Sequence, residues 1–154
     1  TSLDLHAGQL VDRAGVLLGL SFPCGAALEA LAAQAACPPA APKICVNGCS
    51  CNLSGAENRV QAMLNSGEEK TAIAAFVFAF LEKTIRKMTE NALQRFPDLP
   101  VLFAGGVMSN RLMRPALSAC CHAYFAKPEF SCDNAAGIAL LARRAHLSER
   151  AKGK

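Results

Sequence analysis

Between Thr71 and Arg95 apolar side chains recur with a helical period. Phe76, Phe80, Thr84 and Met88 stand four apart, with Ile73, Val77, Leu81 and Ile85 beside them. A stripe of that width and length predicts one long helix buried along most of one side, around which the remaining segments must pack. Its most apolar part, Ala72 to Leu81, is about half of what a bilayer crossing needs, so the spacing predicts a core helix and no membrane partner. The chain has 154 residues, 52% hydrophobic and 18% charged. That is one domain's worth with enough apolar surface for a single core, which excludes a disordered or low-complexity class.

Eight cysteines make a disulfide framework the first alternative to weigh. No segment has a charged flank followed by an apolar stretch as an export signal would, and a core of this size needs no covalent staples. The expectation is reduced thiols in a cytoplasmic protein. Cys45, Cys49 and Cys51 form a C-x3-C-x-C cluster able to hold zinc if a fourth ligand arrives from elsewhere, although the spacing fits no common finger. Cys24, Cys120, Cys121 and Cys132 read as small buried apolar residues. The first residue is Thr rather than Met, as in a piece of a longer protein. Net charge is +4, with much of the excess in Arg143, Arg144, Arg150, Lys152 and Lys154. Such an excess helps nucleic-acid binding without implying it, and is equally the pattern of a solvated terminal helix.

Leu10, Ala14 and Leu17 share one face of a helix that Gly19 and Pro23 end, with Asp12 on roughly the opposite side, facing a cleft or water. A second helix is predicted from about Ala26 to Ala35, and Cys37 to Lys43, with its three prolines, as a loop. Residues 44–54 place Asn47-Gly48 between short alternating runs, a hairpin signal. Ser54, followed three residues later by Glu57, predicts a capping box on the next helix. After Pro97 and Pro100 come a strand, Val101 to Ala104, then Gly105-Gly106, then a helix from about Ser109 or Asn110. A second strand near Ala123 to Ala126 precedes Cys132-Asp133-Asn134 and a final helix from about Ala135 to His146. Strands alternating with helices predict an α/β fold, helix-rich, with a small parallel or mixed sheet.

The sequence has no Walker A loop, G-x-G-x-x-G, G-x-S-x-G or His-x-x-x-His pattern. What remains is a set of small polar residues beside glycines: Asp12, Gly25, Glu29, Gly105, Gly106, Asn110 and Asp133. Glycine lets a ligand approach the backbone, and a carboxylate accepts hydrogen bonds from ribose hydroxyls, so the set suits a nucleotide. Ligands of such sheets sit at the carboxyl ends of strands, where the Gly105-Gly106 turn and Asp133 fall. Singly, each has a plainer reading: Asp133 as an N-cap of the alanine-rich helix, Gly105-Gly106 as an ordinary strand-to-helix turn.

Four stretches taken together resemble a known family: AGQLVDRAGVLLGLSFPCGAALEALA (7–32), CSCNLSGAENRV (49–60), VLFAGGVMSNRLMRPAL (101–117) and FSCDNAAGIALLA (130–142). In order and spacing they are similar to the C-terminal half of the tRNA threonylcarbamoyladenosine synthase family, formerly called O-sialoglycoprotein endopeptidase. The resemblance implies the C-terminal lobe of an actin-like, sugar-kinase-like and Hsp70-like (ASKHA) ATPase fold, with a nucleotide in the cleft between two lobes. It implies transfer of threonylcarbamoyl from threonylcarbamoyl-adenylate to N6 of the adenosine beside the anticodon of tRNA. Carried over residue by residue, Asp12, Gly25, Glu29 and Asn110 match contacts to the adenylate or ATP. Gly105 and Gly106 match the turn against the nucleotide, and Asp133 matches an aspartate that ligates one divalent iron or zinc ion shared with the N-terminal lobe. The implied partners are tRNA, that N-terminal lobe and proteins of the TsaB and TsaE type.

Three departures accompany the match. Cys24 stands where the family has the first glycine of a Gly-Gly pair. Ala56-Glu57 replaces Leu-Lys after Ser54-Gly55, which reverses a charge near the implied tRNA or partner surface. The family's His-x-x-x-His metal motif belongs to the N-terminal lobe, so these residues alone are expected to be inactive. A non-catalytic, dimerising paralogue and another ASKHA kinase acting on a small molecule are the alternative readings. The old peptidase name finds no nucleophile and base pair in the sequence to support it.

Overall fold

The computed structural model describes residues 1–37, 41–131 and 135–152. In chain order the elements are α1 (Ala7–Leu17), α2 (Gly25–Ala32), β1 (Cys45–Asn47), β2 (Ser50–Asn52), α3 (Ser54–Asn65) and α4 (Lys70–Arg95). They are followed by β3 (Val101–Phe103), a 3₁₀ turn (Gly106–Ser109), α5 (Arg114–Cys120), β4 (Ala123–Phe125), α6 (Pro128–Ser131) and α7 (Ala135–Lys152). Asp133 and Cys132 lie outside the described residues, as does the middle of the proline loop. No helix among the described residues is long and apolar enough to cross a membrane.

The long periodic run forms the predicted core helix. From Ile73 to Leu81 every residue of α4 is buried except Ala75 and Ala79, which are half-buried. α1, α2, α3 and α5 all pack on it. Its Ile, Val, Leu and Phe side chains each contribute roughly 1.5–3 kcal/mol of transfer free energy. Thr84, one helical turn below Phe80, returns its hydroxyl to the Phe80 carbonyl at 2.7 Å, so a polar residue inside the core keeps its hydrogen bond.

The small sheet divides into two pairs. β1 and β2 form an antiparallel hairpin with Asn47 opposite Ser50, so the central turn residues are Gly48 and Cys49. Gly48 has φ +57°, the positive φ that a tight hairpin demands at its first central position. β3 and β4 are parallel, Val101 beside Ala123 and Phe103 beside Phe125, and the outward residues Leu102 and Tyr124 are 67% and 54% exposed. Of the parallel or mixed sheet expected, the parallel alternative forms, as the two-stranded β3–β4 pair, separate from the hairpin. The cysteine cluster sits on the hairpin. Cys51 pairs with Val46 and is buried, whereas Cys45 pairs with Asn52 on the other face and is exposed. Cys24 is buried, Cys120 and Cys121 are half-buried, and all the cysteines among the described residues are free thiols.

The capping box expected from Ser54 and Glu57 does not form. Asp4, fifty residues away, takes that place: its carboxylate accepts from the Leu53 N–H at 2.8 Å, the Ser54 N–H at 3.2 Å and the Ser54 hydroxyl at 2.6 Å. It also accepts from the Leu5 N–H at 2.6 Å. Asp4 thus takes the Ser54 N–H that Glu57 would accept in a capping box, an ionised carboxylate being favoured at a helix N-terminus, and Glu57 turns instead to Arg13 on α1 at 3.0 Å. The helix expected from Ser109 or Asn110 also starts later, at Arg114. Gly106–Ser109 takes up the 3₁₀ turn and Asn110 is extended, at φ −60°, ψ 131°.

Gly15 and Cys24 fix how closely α1 and α2 approach. A Cβ on Gly15 would lie 2.6 Å from Cys24 Sγ and would overlap its Cβ, so the cysteine that departs from the family pattern is seated in the notch a glycine leaves. Intrinsic propensity favours alanine in a helix by about 1 kcal/mol, while overpacking costs roughly 1–3 kcal/mol. Gly15→Ala is therefore expected to lower the unfolding free energy, and adding Cys24→Gly should recover part of the loss; denaturant titration of the double-mutant cycle checks it. Asp4 carries a second expectation. The N–H groups of Leu53 and Leu5 and the Ser54 hydroxyl hold its carboxyl well below the usual carboxylate range. A depressed folded-state pKa stabilises above the unfolded value, near about 3.9, and that stabilisation is lost as pH falls through the folded one. Asp4→Asn is expected to be less stable than the unsubstituted chain at pH 7, with the gap closing below about pH 4, as read by thermal unfolding at a series of pH values.

Candidate functional site

α1, α2, α4 and the 3₁₀ turn enclose a cavity of about 440 Å³ whose wall includes Asp12, Gly25, Glu29, Gly106 and Asn110. Five of the seven residues singled out thus meet in one place. The sixth, Gly105, is one residue behind the wall, and at φ +110°, ψ 157° it makes the turn that delivers Gly106; side chains are strained there. Residues 128–131 of α6 pack against the same turn. Asp133, three residues after Phe130, lies outside the described residues.

Each polar residue of the wall spends one atom on a neighbouring backbone. Asp12 Oδ1 accepts from the Cys24 N–H at 2.9 Å, tying α1 to the start of α2. Glu29 Oε1 accepts from the Arg111 N–H at 2.8 Å, tying α2 to the segment after the 3₁₀ turn. Asn110 Oδ1 accepts from the N–H groups of Leu112 and Met113 at 3.0 and 3.1 Å, which caps the turn leading into α5. These bonds fix the side-chain rotamers and leave Asp12 Oδ2, Glu29 Oε2 and Asn110 Nδ2 for a ligand. Asn110 is 5% exposed and its Nδ2 has no partner among the described residues, a cost of about 1–3 kcal/mol that a bound acceptor would relieve.

Gly25 and Gly106 have open space where a Cβ would stand. Packing does not demand glycine at either position, and what the missing Cβ supplies is room over bare backbone. Val11, Phe78 and Ser109 are among the wall residues that the sequence reading missed. Phe78 falls outside the two stripes read on α4. The signal that could have found it is that Ala72 to Leu81 is apolar on all sides and so must face more than one neighbour. Burial, with the adjacent Asp12 charge second, pushes the Cys24 thiol up, which makes it a packing group and no nucleophile.

Among the described residues no group of three His, Cys, Asp or Glu side chains stands close enough to hold a metal ion. The resemblance asks one metal ligand of this chain, Asp133, which lies outside the described residues, and no chemical step is routed through a metal.

Asn110 gives a direct test of the geometry. Asn110→Ala removes the acceptor for two N–H groups and is expected to cost about 1 kcal/mol. Asn110→Asp keeps that acceptor and is expected to retain most of the stability. Thermal unfolding of the two variants side by side separates capping from mere packing volume.

Comparison with known proteins bears on this site. The profile of the TsaD family, tRNA N6-adenosine threonylcarbamoyltransferase, matches residues 1–140. The tRNA N6-adenosine threonylcarbamoyltransferase of Thermus thermophilus is 34% identical over 149 residues, which cover 93% of this chain and 45% of that protein. Those of Gluconobacter oxydans and Caulobacter vibrioides are 32% and 31% identical, over 96% and 91% of this chain and 46% and 43% of theirs. The chain spans less than half the length of these relatives. A profile match over most of its residues, together with relatives above 30% identity along nearly all of it, places this chain in the tRNA N6-adenosine threonylcarbamoyltransferase family.

Proposed function

We propose that the cavity between α1, α2 and the 3₁₀ turn holds the adenylate part of threonylcarbamoyl-adenylate, in a protein that transfers the threonylcarbamoyl group to N6 of a tRNA adenosine. The observation that carries this reading is the convergence of Asp12, Gly25, Glu29, Gly106 and Asn110 on one hollow of about 440 Å³, within the usual range for small-ligand sites. In the reaction the exocyclic amine attacks the carbamoyl carbon, the bond to the adenylate oxygen breaks and AMP leaves with the electron pair. The chain's own residues bind and orient the part that leaves. The free carboxylate oxygens of Asp12 and Glu29 accept from ribose hydroxyls, and the bare backbone at Gly25 and Gly106 lets the nucleotide lie close. Holding the leaving group in one geometry lowers the entropic part of the barrier.

The same proposal makes this chain the C-terminal lobe of a two-lobed ASKHA fold that works with an N-terminal lobe, tRNA and TsaB- and TsaE-like proteins. Two features support it. The parallel β3–β4 pair has only two strands, fewer than a sheet needs to stand alone, and its Leu102 and Tyr124 are open to solvent. Its relatives are also more than twice as long. Asp133 is assigned the metal contact on resemblance, the other ligands coming from the N-terminal lobe.

The test is transfer of labelled threonylcarbamate to tRNA. These 154 residues alone are expected to give no turnover, and turnover without added protein refutes the two-lobe reading. In the intact gene product Asp133→Ala is expected to abolish transfer. A variant that still supports transfer at the unsubstituted rate, as a non-catalytic paralogue would, contradicts the assignment.

A further inference from the structure

The wall of the cavity holds a polar group that neither the resemblance nor the reading above uses. Ser109, the residue before Asn110 and the last of the 3₁₀ turn, lines the cavity. Its Oγ is withdrawn from water with no hydrogen-bond partner among the described residues, the same condition as Nδ2 of the next residue, Asn110. Two orphaned polar atoms on consecutive residues that line one cavity are costly in a folded protein. Val11 and Phe78 nearby in the wall are apolar, Asn110 Oδ1 is already committed to Leu112 and Met113, and the wall's free acceptors, on Asp12 and Glu29, make no hydrogen bond to either atom.

The chemistry of the cavity is divided accordingly. α1 and α2 contribute acceptors, the free oxygens of Asp12 and Glu29, while the end of the 3₁₀ turn and the residue after it contribute a hydroxyl and an amide donor. A hydroxyl next to an unpartnered amide donor complements a ligand acceptor and can rotate its proton toward it. We infer that Ser109 is a ligand-contacting, specificity-determining residue whose hydroxyl, together with Asn110 Nδ2, donates to an acceptor atom of the bound nucleotide. This rests on the nucleotide reading of the cavity and adds to it a residue and a polarity: hydroxyls of the ligand toward Asp12 and Glu29, acceptors toward Ser109 and Asn110. The acceptor is a phosphoryl oxygen or a ring nitrogen.

Titration calorimetry of AMP and of adenosine into the intact gene product, its Ser109→Ala variant and its Asp12→Asn variant decides the matter. Ser109→Ala is expected to weaken AMP binding about tenfold, the worth of one such hydrogen bond. Weakening of AMP alone puts the contact on the phosphoryl group, and weakening of both ligands puts it on the nucleoside; either supports the inference. Because the hydroxyl has no partner to lose, the ligand-free Tm of Ser109→Ala is expected to equal or exceed that of the unsubstituted protein. A lowered Tm would mark a structural role and overturn the inference. Unchanged binding in Ser109→Ala with weakened binding in Asp12→Asn overturns the role of Ser109 and leaves the nucleotide cavity standing. No binding of AMP by the unsubstituted protein, or no effect of Asp12→Asn, overturns the cavity reading and this inference with it.

Discussion

The burial of α4 is the constraint from which the rest of the arrangement follows. A helix with Ile73, Ala74, Phe76, Val77, Phe78, Phe80 and Leu81 all withdrawn from water needs neighbours on several sides, and α1, α2, α3 and α5 are those neighbours. Their placement around one rod brings the ends of α1 and α2 to the same level as the turn after β3. Phe78, on the side of α4 away from the main stripes, becomes the apolar floor between them. The cavity is thus a by-product of wrapping short helices around a long one. Its position is fixed by the most hydrophobic part of the molecule, the part least free to shift.

Rigidity at the cavity wall comes from polar side chains that each do two jobs. Asp12, Glu29 and Asn110 each tie a backbone N–H of a following segment with one atom and leave another free. The segments so joined include α1, α2 and the 3₁₀ turn, which with Phe78 of α4 form the wall. A side chain already locked by a backbone bond loses little further rotamer entropy when a ligand arrives. The Gly15–Cys24 contact serves the same end sterically, setting the separation of the two helices that carry Asp12 and Glu29.

Most elements could be read from the chain because their signals are local. The α4 period, the Asn47-Gly48 hairpin and the strand before Gly105-Gly106 all depend on spacing within a few residues. The features that escaped are contacts between distant segments. Asp4 displaced Ser54 as the cap of α3 from fifty residues away, and nothing within residues 54–57 could report that a stronger acceptor would arrive. The late start of α5 is a different, local case: the Ser109-Asn110 pair reads as a helix start, yet the Asn110 side chain caps the turn that follows it. The site residues were found from glycines and acids in sequence order together with the resemblance. Ser109 was passed over because a serine is unremarkable until its surroundings are known to lack a partner for it.

Determining the structure of the intact gene product bound to a stable analogue of threonylcarbamoyl-adenylate tests the central claim most directly. The account places the adenylate between α1, α2 and the 3₁₀ turn, with its ribose hydroxyls within hydrogen-bond distance of Asp12 or Glu29 and an acceptor atom facing Asn110. An analogue seated on another face of these residues, with that hollow left to solvent, contradicts it.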